Sequence, residues 1–443
     1  MKSRHVFARH SSAELPIAVS GDGCFLVDKF GGRYLDASSG AAVSCLGHSD
    51  QEVLETLREQ SKKLSFAHTS FFTNEPAENL ASRLADLAPD GVNRVYIVSG
   101  GSEAVESAIK LARQYFVEIG ETARKLIISR RQSYHGNTIG ALGAGGNKWR
   151  REKFEDLLAT PVLISPCYCY RDKKEFETEE EYGQRVADEL DREIRSAGPE
   201  NVMAFIAEPV VGATAGAICP VPGYFKKIRD ICNEHGVLLI LDEVMCGMGR
   251  TGTLFASELE KIIPDIVTIA KGLGAGYQPI GAMLCQDQIH DTIASGSGFF
   301  HHGHTYLGHP IACATATTVL KRIVDDGLGS TVIKKGVLLK KKLEQKLGSH
   351  PYVGDICGRG LFIGIEMVSN KRTKTPFDPT LNLAGRIKRA AMEFGLICYP
   401  SQGTIDGVYG DHVLLAPPFI ISDEEMDLLV ERLCLAISKA SNF

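Results

Sequence analysis

The first ninety residues change from an extended to a helical pattern of apolar positions. Two β-rich runs, GCFLVD and FGGRYLD, lie within residues 20–40, and Gly31-Gly32 marks a turn inside the second. From residue 51, and again over residues 76–88, leucine and valine recur at helical spacing. The pattern predicts a short extended region followed by two amphipathic helices.

The middle of the chain alternates short apolar runs with helical segments. The predicted strands are NRVYIVSG, KLIISR, NVMAFIAEPV, VLLILDEV and DIVTIAKG, and the predicted helices are SEAVESAIKLARQYF and GYFKKIRDICNEHG. Such nearly continuous, β-branched strands are typical of a parallel sheet that is covered by helices on both faces. The charged segment 171–185 predicts an exposed excursion before a helix.

Beyond residue 330 the pattern becomes a mixture of helices and strands. A lysine-rich amphipathic helix is predicted over 330–348, with its charges on the solvated face. The strand-like runs RGLFIGIEMV, GLICYP and HVLLAPPF then alternate with helices at 380–394 and at the C-terminus. The sequence shows no internal repeat.

Composition narrows the class of protein. The 443 residues suit one large domain and a smaller one, and a net charge of −5 gives no basic footprint for nucleic acid. No apolar run reaches the roughly 20 residues of a membrane helix, and the N-terminus lacks the apolar core of a signal peptide. The 12 cysteines are spread singly, as expected for reduced thiols in the cytoplasm. Cys167 and Cys169 lack a second pair at zinc-like spacing, so no metal site is predicted.

Polar side chains stand where the predicted central strands end. Ser99, Glu208, Asp242 and Lys271 each follow an apolar run. Ligands of open parallel sheets bind at the carboxyl ends of the strands. This coincidence predicts a functional site at that edge of the sheet.

Lys271 follows DIVTIA and precedes glycines at 272, 274 and 276. The simpler interpretation is that Lys271 extends from the end of a strand into solvent. If its surroundings are buried, desolvation lowers the amine pKa and leaves a neutral nucleophile able to form a Schiff base. The glycines would let a ligand approach closely.

Asp242 ends five apolar residues, 237–241, and a buried carboxylate without a partner is costly. It could be salt-bridged, or it could hold a protonated ring nitrogen. Pyridoxal phosphate needs a lysine for its aldehyde and an acid at its pyridine nitrogen. Lys271 and Asp242 would together meet both needs.

Two loops add candidate binding groups. In VSGGSEAVESAIK, residues 98–110, a strand ends at two glycines and Ser102 opens a helix, which is both an N-cap pattern and an anion site. In SYHGNT, Tyr134 could lie on a cofactor ring or pack in the core. The competing dinucleotide pattern GMGRTG at 247–252 begins five residues after Asp242, too late for the tight turn it requires, so a nicotinamide dehydrogenase is disfavoured.

Six motifs taken in order resemble a known family. They are SGGSEAVESAIKLAR, YHGNT, FIAEPV, LLILDEVMCGMGRTG, DIVTIAKGLGAGYQPIGA and HGHTYLGHPIACA. Together they resemble the class III aminotransferases of the fold-type I pyridoxal-phosphate enzymes, and within these the ω-amino acid:pyruvate branch. The resemblance runs from RYLDASSG to DHVLLAPPFIIS. It implies an α/β fold with a large domain (51–327), whose mostly parallel sheet is covered by helices, and a smaller α+β domain formed by 1–50 and 328–443.

The resemblance also implies roles for the strand-end residues. Lys271 would bond to the aldehyde of pyridoxal 5'-phosphate and then move the proton between the substrate carbon and the cofactor. Asp242 would pair with the ring nitrogen, and Glu208 would lie beside the ring hydroxyl. Val244 and Tyr134 would pack on opposite faces of the ring.

Gly101 and Ser102 would hold the cofactor phosphate, by the same resemblance. Thr305, in HGHTY, would reach the phosphate of the neighbouring subunit's cofactor. That role implies a homodimer with shared active sites.

Two departures from the family pattern concern the substrate. Ala41-Ala42 replaces a bulky Leu-Trp pair, which implies a roomier pocket, and no arginine lies between Tyr399 and Phe419, where many relatives carry one for the keto acid carboxylate. The substituting cation could be Arg171 or one of a basic cluster. The cluster is Lys148, Arg150 and Arg151, and the other pocket candidates are Phe71 and Phe72.

The predicted function is therefore a transaminase. A primary amine or ω-amino acid would donate its amino group, and a keto acid, pyruvate in this branch, would accept it in a ping-pong cycle. An aminomutase, racemase or amino-phosphate lyase on the same scaffold remains an alternative, because it would share every cofactor residue. A pyridoxal-phosphate sensor of the transcription-regulator type is disfavoured, because the chain is acidic and begins almost at once with family sequence.

Overall fold

The computed structural model describes residues 5–10 and 14–442. Its strands are β1 (Ala18–Asp22), β2 (Phe25–Asp28), β3 (Arg33–Asp36), β4 (Arg94–Val98), β5 (Leu126–Arg130), β6 (Val162–Ile164), β7 (Val202–Ala207), β8 (Leu238–Asp242), β9 (Ile266–Ile269), β10 (Gly281–Cys285), β11 (Val353–Arg359), β12 (Phe362–Met367), β13 (Leu396–Ile397), β14 (Tyr399–Gln402) and β15 (Asp411–Leu415).

Helices connect and cover these strands. They are α1 (Ser39–Ala42), α2 (Gln51–Lys63), α3 (Glu75–Leu87), α4 (Gly101–Glu118), α5 (Ile139–Ala144), α6 (Lys148–Arg151), α7 (Cys169–Asp172), α8 (Glu179–Ala197), α9 (Tyr224–His235), α10 (Ser257–Glu260), α11 (Asp287–Ser295), α12 (Pro310–Val324), α13 (Leu328–Leu347), α14 (Leu383–Glu393) and α15 (Asp423–Ala440). Within the described ranges, no helix is both long and apolar enough to cross a bilayer.

A seven-stranded sheet forms the centre of the molecule, in the order β4-β10-β9-β8-β7-β5-β6. Strands β6, β5, β7, β8 and β9 run parallel, while β10 runs antiparallel to both β9 and β4. The predicted mostly parallel sheet is confirmed. The short strands β6 and β10 are additional to the sequence prediction.

The continuous apolar strands are buried because helices cover both faces of this sheet. Every residue of β7 and β8 is buried. Along β8, Leu239 and Leu241 belong to a core with α3, α8, α9 and α12, whereas Leu238 and Ile240 belong to a core with α4 and α11. Successive side chains of a strand point to opposite faces, so one apolar run supplies two cores.

Two four-stranded sheets and the C-terminal helices form a second core. One sheet has the order β11-β12-β15-β14, and the other, β1-β2-β3-β13, joins the N-terminal strands to the C-terminal part through the parallel pair β3 and β13. Helices α13, α14 and α15 contribute to the same core. The predicted α/β fold with an added smaller α+β part is confirmed.

The exposed excursion predicted over 171–185 is shorter in the structure. Helix α8 already begins at Glu179, because Thr178 and Glu181 form a reciprocal capping box. The charged residues of its first turn also suit the positive end of the helix dipole. Charge density alone therefore misplaced the start of this helix.

Candidate active site

The carboxyl ends of β4, β7, β8 and β9 open onto one cavity of about 710 Å³. Its lining draws on the central sheet, on Ala41 and Val43 near the N-terminus, and on Tyr399 of β14. The cavity thus lies between the central sheet and the second core. The predicted strand-end residues Ser99, Glu208, Asp242 and Lys271 all line it.

Lys271 stands two residues beyond β9, at the start of a single 3-10 turn, Lys271–Leu273. Its φ of 47° lies in the left-handed region, which is uncommon and costly for a residue with a side chain. Burial lowers the pKa of the Lys271 amine to about 8, the Asp242 carboxylate opposes that change, and the Arg150 guanidinium adds to it. Among the described residues its Nζ forms no hydrogen bond or ion pair, so a partly neutral amine is free to react.

Asp242 is the last residue of β8 and is buried at 4% exposure. Its Oδ2 accepts a hydrogen bond from His135 Nδ1 at 2.8 Å, and its Oδ1 accepts from the Val244 backbone N–H at 3.1 Å. Thr268 Oγ1 lies 3.4 Å from the same Oδ1. These donors fix the position of the carboxylate in the cavity lining.

Glu208 follows β7 by one residue and is buried beside Asp242 in the cavity wall. Its Oε1 accepts a hydrogen bond from the Tyr134 backbone N–H at 3.2 Å, and its Oε2 lies 3.6 Å from Arg130 Nη2. Burial raises the pKa of Glu208, and the nearby His135 and Arg130 side chains oppose that rise. Oε2 has no hydrogen-bond donor within the described part of the chain.

The N-terminus of α4 forms one wall of the cavity. A Cβ on Gly101 would lie only 2.8 Å from Val244 Cγ1, so glycine is needed for this close approach. Ser102 Oγ accepts a hydrogen bond from the Asn137 backbone N–H at 3.1 Å. The unpaired N–H groups of the first turn and the helix dipole make this wall suited to an anion.

Ala41 lines the cavity, whereas Ala42 is buried next to it in a small core cluster. Arg171 lies elsewhere. Its Nε donates to Glu366 Oε1 at 2.6 Å, and its side chain lines a separate cavity. The expectation that Arg171 serves the substrate pocket therefore does not agree with its placement, because its charge is already paired with a buried carboxylate.

Phe71, Phe72 and Thr305 do not line this cavity. All three are exposed, the two phenylalanines at 79% and 68%. Thr305 lines a second cavity together with His68 and Ser70, close to Phe71 in the chain. Their predicted contributions, through a neighbouring subunit for Thr305, stay predictions.

Sequence reasoning missed the link between His135 and Asp242, which are 107 residues apart in the chain. The only signal was the position of His135 next to Tyr134, after a predicted strand. It also left the choice among the basic cluster open. Of these, Arg150 lines the cavity, Lys148 lines a different one, and Arg151 is buried against backbone carbonyls and Glu155.

Comparisons with known proteins agree with this arrangement. A family model described as Aminotransferase class-III matches residues 6–437. An uncharacterized aminotransferase of Schizosaccharomyces pombe is 45% identical, over 99% of this chain and 95% of its own length. A putrescine–pyruvate aminotransferase of Pseudomonas aeruginosa is 34% identical, over 95% of this chain and 90% of its own.

A solved structure is also similar over almost the whole chain. The omega transaminase of Pseudomonas jessenii in complex with PMP has a TM-score of 0.92 and 32% identity, covering 99% of this chain and 96% of that one. The fold is therefore that of a fold-type I enzyme, as the sequence predicts. The chain belongs to the class III aminotransferases, enzymes that transfer an amino group from an amine donor to a keto acid.

Proposed function

We propose that this aminotransferase uses pyridoxal 5'-phosphate held in the cavity by Lys271 and Asp242, with pyruvate as the acceptor. The observation that carries the proposal is the convergence of a lysine of lowered pKa and a buried, fixed carboxylate in one cavity. The complex of the Pseudomonas jessenii enzyme with PMP, the amino form of this cofactor, supports it.

The residues of the cavity fit the cofactor group by group. Lys271 offers a free amine to its aldehyde, and the buried carboxyl group of Asp242 suits a protonated pyridine nitrogen. The start of α4, at Gly101 and Ser102, offers N–H groups to its phosphate. Glu208 Oε2, which accepts no hydrogen bond from the described residues, suits a ring hydroxyl.

The chain supplies the remaining chemistry through a few side chains. When bound, pyridoxal phosphate supplies an aldehyde that condenses with amines and a ring that accepts electrons from the carbon losing a proton. Lys271 Nζ would take that proton and return it, since an amine with a pKa of about 8 exchanges protons readily near neutral pH. Asp242 would keep the ring nitrogen protonated, and His135 holds Asp242 in place through its hydrogen bond. Val244 and Tyr134, which both line the cavity, would hold the ring between them.

Pyruvate is proposed as the acceptor on the basis of the similar Pseudomonas aeruginosa enzyme, whose name specifies it. The donor is a primary amine or ω-amino acid. Ala41 in the cavity wall takes little space, which favours an extended or bulky donor.

We also propose a homodimer with shared active sites, in which Thr305 reaches the cofactor phosphate of the second subunit and Phe71 and Phe72 border its pocket. The domain division at 1–50, 51–327 and 328–443 is supported by the separate cores on either side of the cavity. Twelve free cysteines favour a cytoplasmic location.

An absorbance titration of the cofactor-loaded protein tests the proposal. A panel of amines and ω-amino acids is added first, and pyruvate second. Loss of the visible cofactor band with an amine and its return with pyruvate are expected. Loss without return would remove pyruvate as acceptor. Product formation without any keto acid would favour an isomerase or lyase, and absence of the band after adding the cofactor would overturn the assignment of the site.

A further inference from the structure

The cavity contains a cation that the proposed cofactor contacts do not use. Arg150, in α6, lines the same cavity as Tyr134 and Lys271. Its guanidinium carbon lies 4.2 Å from the centroid of the Tyr134 ring. Stacking on an aromatic face holds a guanidinium in place and leaves the N–H groups at its edge available to a ligand.

The charge of Arg150 is not neutralised by the protein. Its guanidinium forms no ion pair with a carboxylate among the described residues, in contrast to Arg171, which pairs with Glu366, and to Arg151, which pairs with Glu155. The two carboxylates in the cavity lining already have partners, since Asp242 faces His135 and Glu208 faces Arg130. An anion that enters the cavity therefore meets an uncompensated positive charge.

That charge is within electrostatic reach of the reacting group. The Arg150 guanidinium contributes to the lowered pKa of Lys271, which places it near the amine that would handle the substrate. The phosphate is expected at the start of α4, where the helix itself supplies the donors. Arg150 is thus left for a second anionic group.

The partial exposure of Arg150 fits such a role. It is neither fully buried, as Arg151 is, nor outside the cavity, as Lys148 is. Arg9, which is exposed, also lines the cavity and would add to the positive potential there. The stretch between Tyr399 and Phe419 contains no arginine that could take the task instead.

We propose that Arg150, seated on Tyr134, binds the carboxylate of the keto acid acceptor and so selects keto acids over simple aldehydes and ketones. The proposal rests on the aminotransferase function proposed above. The pair formed would be charge-assisted and planar, with two N–H groups of the guanidinium donating to the two carboxylate oxygens.

The test compares acceptors that differ only in the carboxylate. The rates with pyruvate and with acetaldehyde are measured for wild type, Arg150→Gln, Arg150→Lys and the control Lys148→Gln, which removes the same charge two residues away. For Arg150→Gln, kcat/KM for pyruvate is expected to fall about 10- to 100-fold, with acetaldehyde nearly unchanged. For Arg150→Lys, kcat/KM for pyruvate should lie between the values for wild type and Arg150→Gln. Lysine keeps the positive charge but cannot donate two parallel N–H groups to a carboxylate.

A binding measurement provides a readout apart from activity. Propanoate, an unreactive carboxylate with the carbon chain of pyruvate, and propanamide, its neutral counterpart, are titrated calorimetrically into the cofactor-loaded proteins. Propanoate affinity should weaken by a similar factor in Arg150→Gln, and propanamide affinity should not change. The affinity for pyridoxal phosphate should also stay within about 3-fold of wild type, because the phosphate is bound elsewhere.

Three results would overturn the inference while leaving the transaminase reading intact. Equal losses with pyruvate and acetaldehyde would assign Arg150 a merely structural part in holding Tyr134. A selective loss of pyridoxal phosphate affinity would assign it to the phosphate. If Lys148→Gln lowered kcat/KM for pyruvate as much as Arg150→Gln, the effect would come from the general positive potential and not from direct contact between Arg150 and the carboxylate. Failure of wild type to transfer any amino group would instead contradict the proposed function itself.

Discussion

At the residue scale, the site depends on two groups held in costly states. Lys271 has a left-handed backbone conformation and its amine is buried. Asp242 has a carboxyl group in a side chain that is only 4% exposed. Neither state is favourable for the isolated chain. Proteins keep such strain mainly at functional sites, where it prepares groups for reaction, and both residues face the same cavity.

The lowered pKa of Lys271 predicts how its amine reacts with pH in the cofactor-free protein. Below pH 8 the protonated form dominates, so the rate of acylation at Lys271 should rise about tenfold per pH unit and level off above pH 8. A lysine in a peptide standard should continue to gain reactivity up to about pH 10.4. Mass spectrometry of the labelled peptides gives both pH profiles from the same reaction mixture. Coinciding profiles would contradict the claim that burial lowers the pKa of the Lys271 amine.

Asp242→Asn tests the carboxylate without changing its size. The variant should fold and retain part of its cofactor, because Val244 N–H can still donate to the remaining oxygen. Its transfer rate should fall about 100-fold or more, since an amide does not stabilise a protonated ring nitrogen. Thermal unfolding serves as the folding control. A rate close to that of wild type would make Asp242 a structural residue only.

At the scale of elements, the pattern of apolar residues predicted most central strands and where they end. The remaining elements depend on tertiary contacts that this pattern does not reveal. β7 and β8 were predictable because each is a continuous apolar run that leads to a polar residue, Glu208 just beyond β7 and Asp242 at the end of β8. β10 was not, because its run GAMLC follows a glycine-rich stretch that obscures the pattern. Helix α12, PIACATATTVLKRIV, is rich in alanine and threonine, which give only a weak apolar stripe.

The candidate site was predictable to the same extent as the sheet. Strand-end residues share one edge by geometry, so Asp242 and Lys271 could be paired from the sequence. The hydrogen bond from His135 and the placement of Arg150 depend on loops whose path no local pattern fixes. Arg171 was misjudged because its partner, Glu366, lies in β12, 195 residues away.

The N-terminus of α4 offers a matched pair of glycine variants, at Gly101 and at the preceding Gly100. Gly101→Ala should place a methyl group 2.8 Å from Val244 Cγ1, whereas a Cβ on Gly100 meets no atom within 4 Å. The free energy of unfolding of the cofactor-free protein should therefore drop by about 1–3 kcal/mol in Gly101→Ala and much less in Gly100→Ala. Denaturant unfolding measures both. Equal stabilities would show that Val244 moves aside freely.

At the scale of the whole molecule, the cavity lies between two hydrophobic cores, and exposed aromatic residues mark one surface. Phe66 and Tyr306 pack edge to face with ring centroids 5.7 Å apart, and the His68 ring lies near both Phe66 and the exposed Phe71. Large apolar side chains grouped at a surface are typical of an interface. The neighbouring Thr305 places a predicted active-site residue on the same surface.

The proposed dimer predicts that charge at this surface separates the subunits. Phe71→Glu should shift the protein from dimer to monomer in sedimentation velocity and reduce transfer activity, because a buried carboxylate in an interface is costly. Phe176, exposed at 81% in the charged segment before α8, gives the control variant Phe176→Glu, which should remain dimeric. A wild-type monomer with full activity would rule out shared sites.

The most direct test of the account is to find which amine carries the cofactor. The protein is loaded with pyridoxal phosphate, reduced with borohydride, digested and mapped by mass spectrometry. We expect the added mass on Lys271 alone, and none in Lys271→Ala treated in the same way. Covalent label on a different lysine, or label that persists in Lys271→Ala, would contradict the assignment on which the proposed mechanism depends.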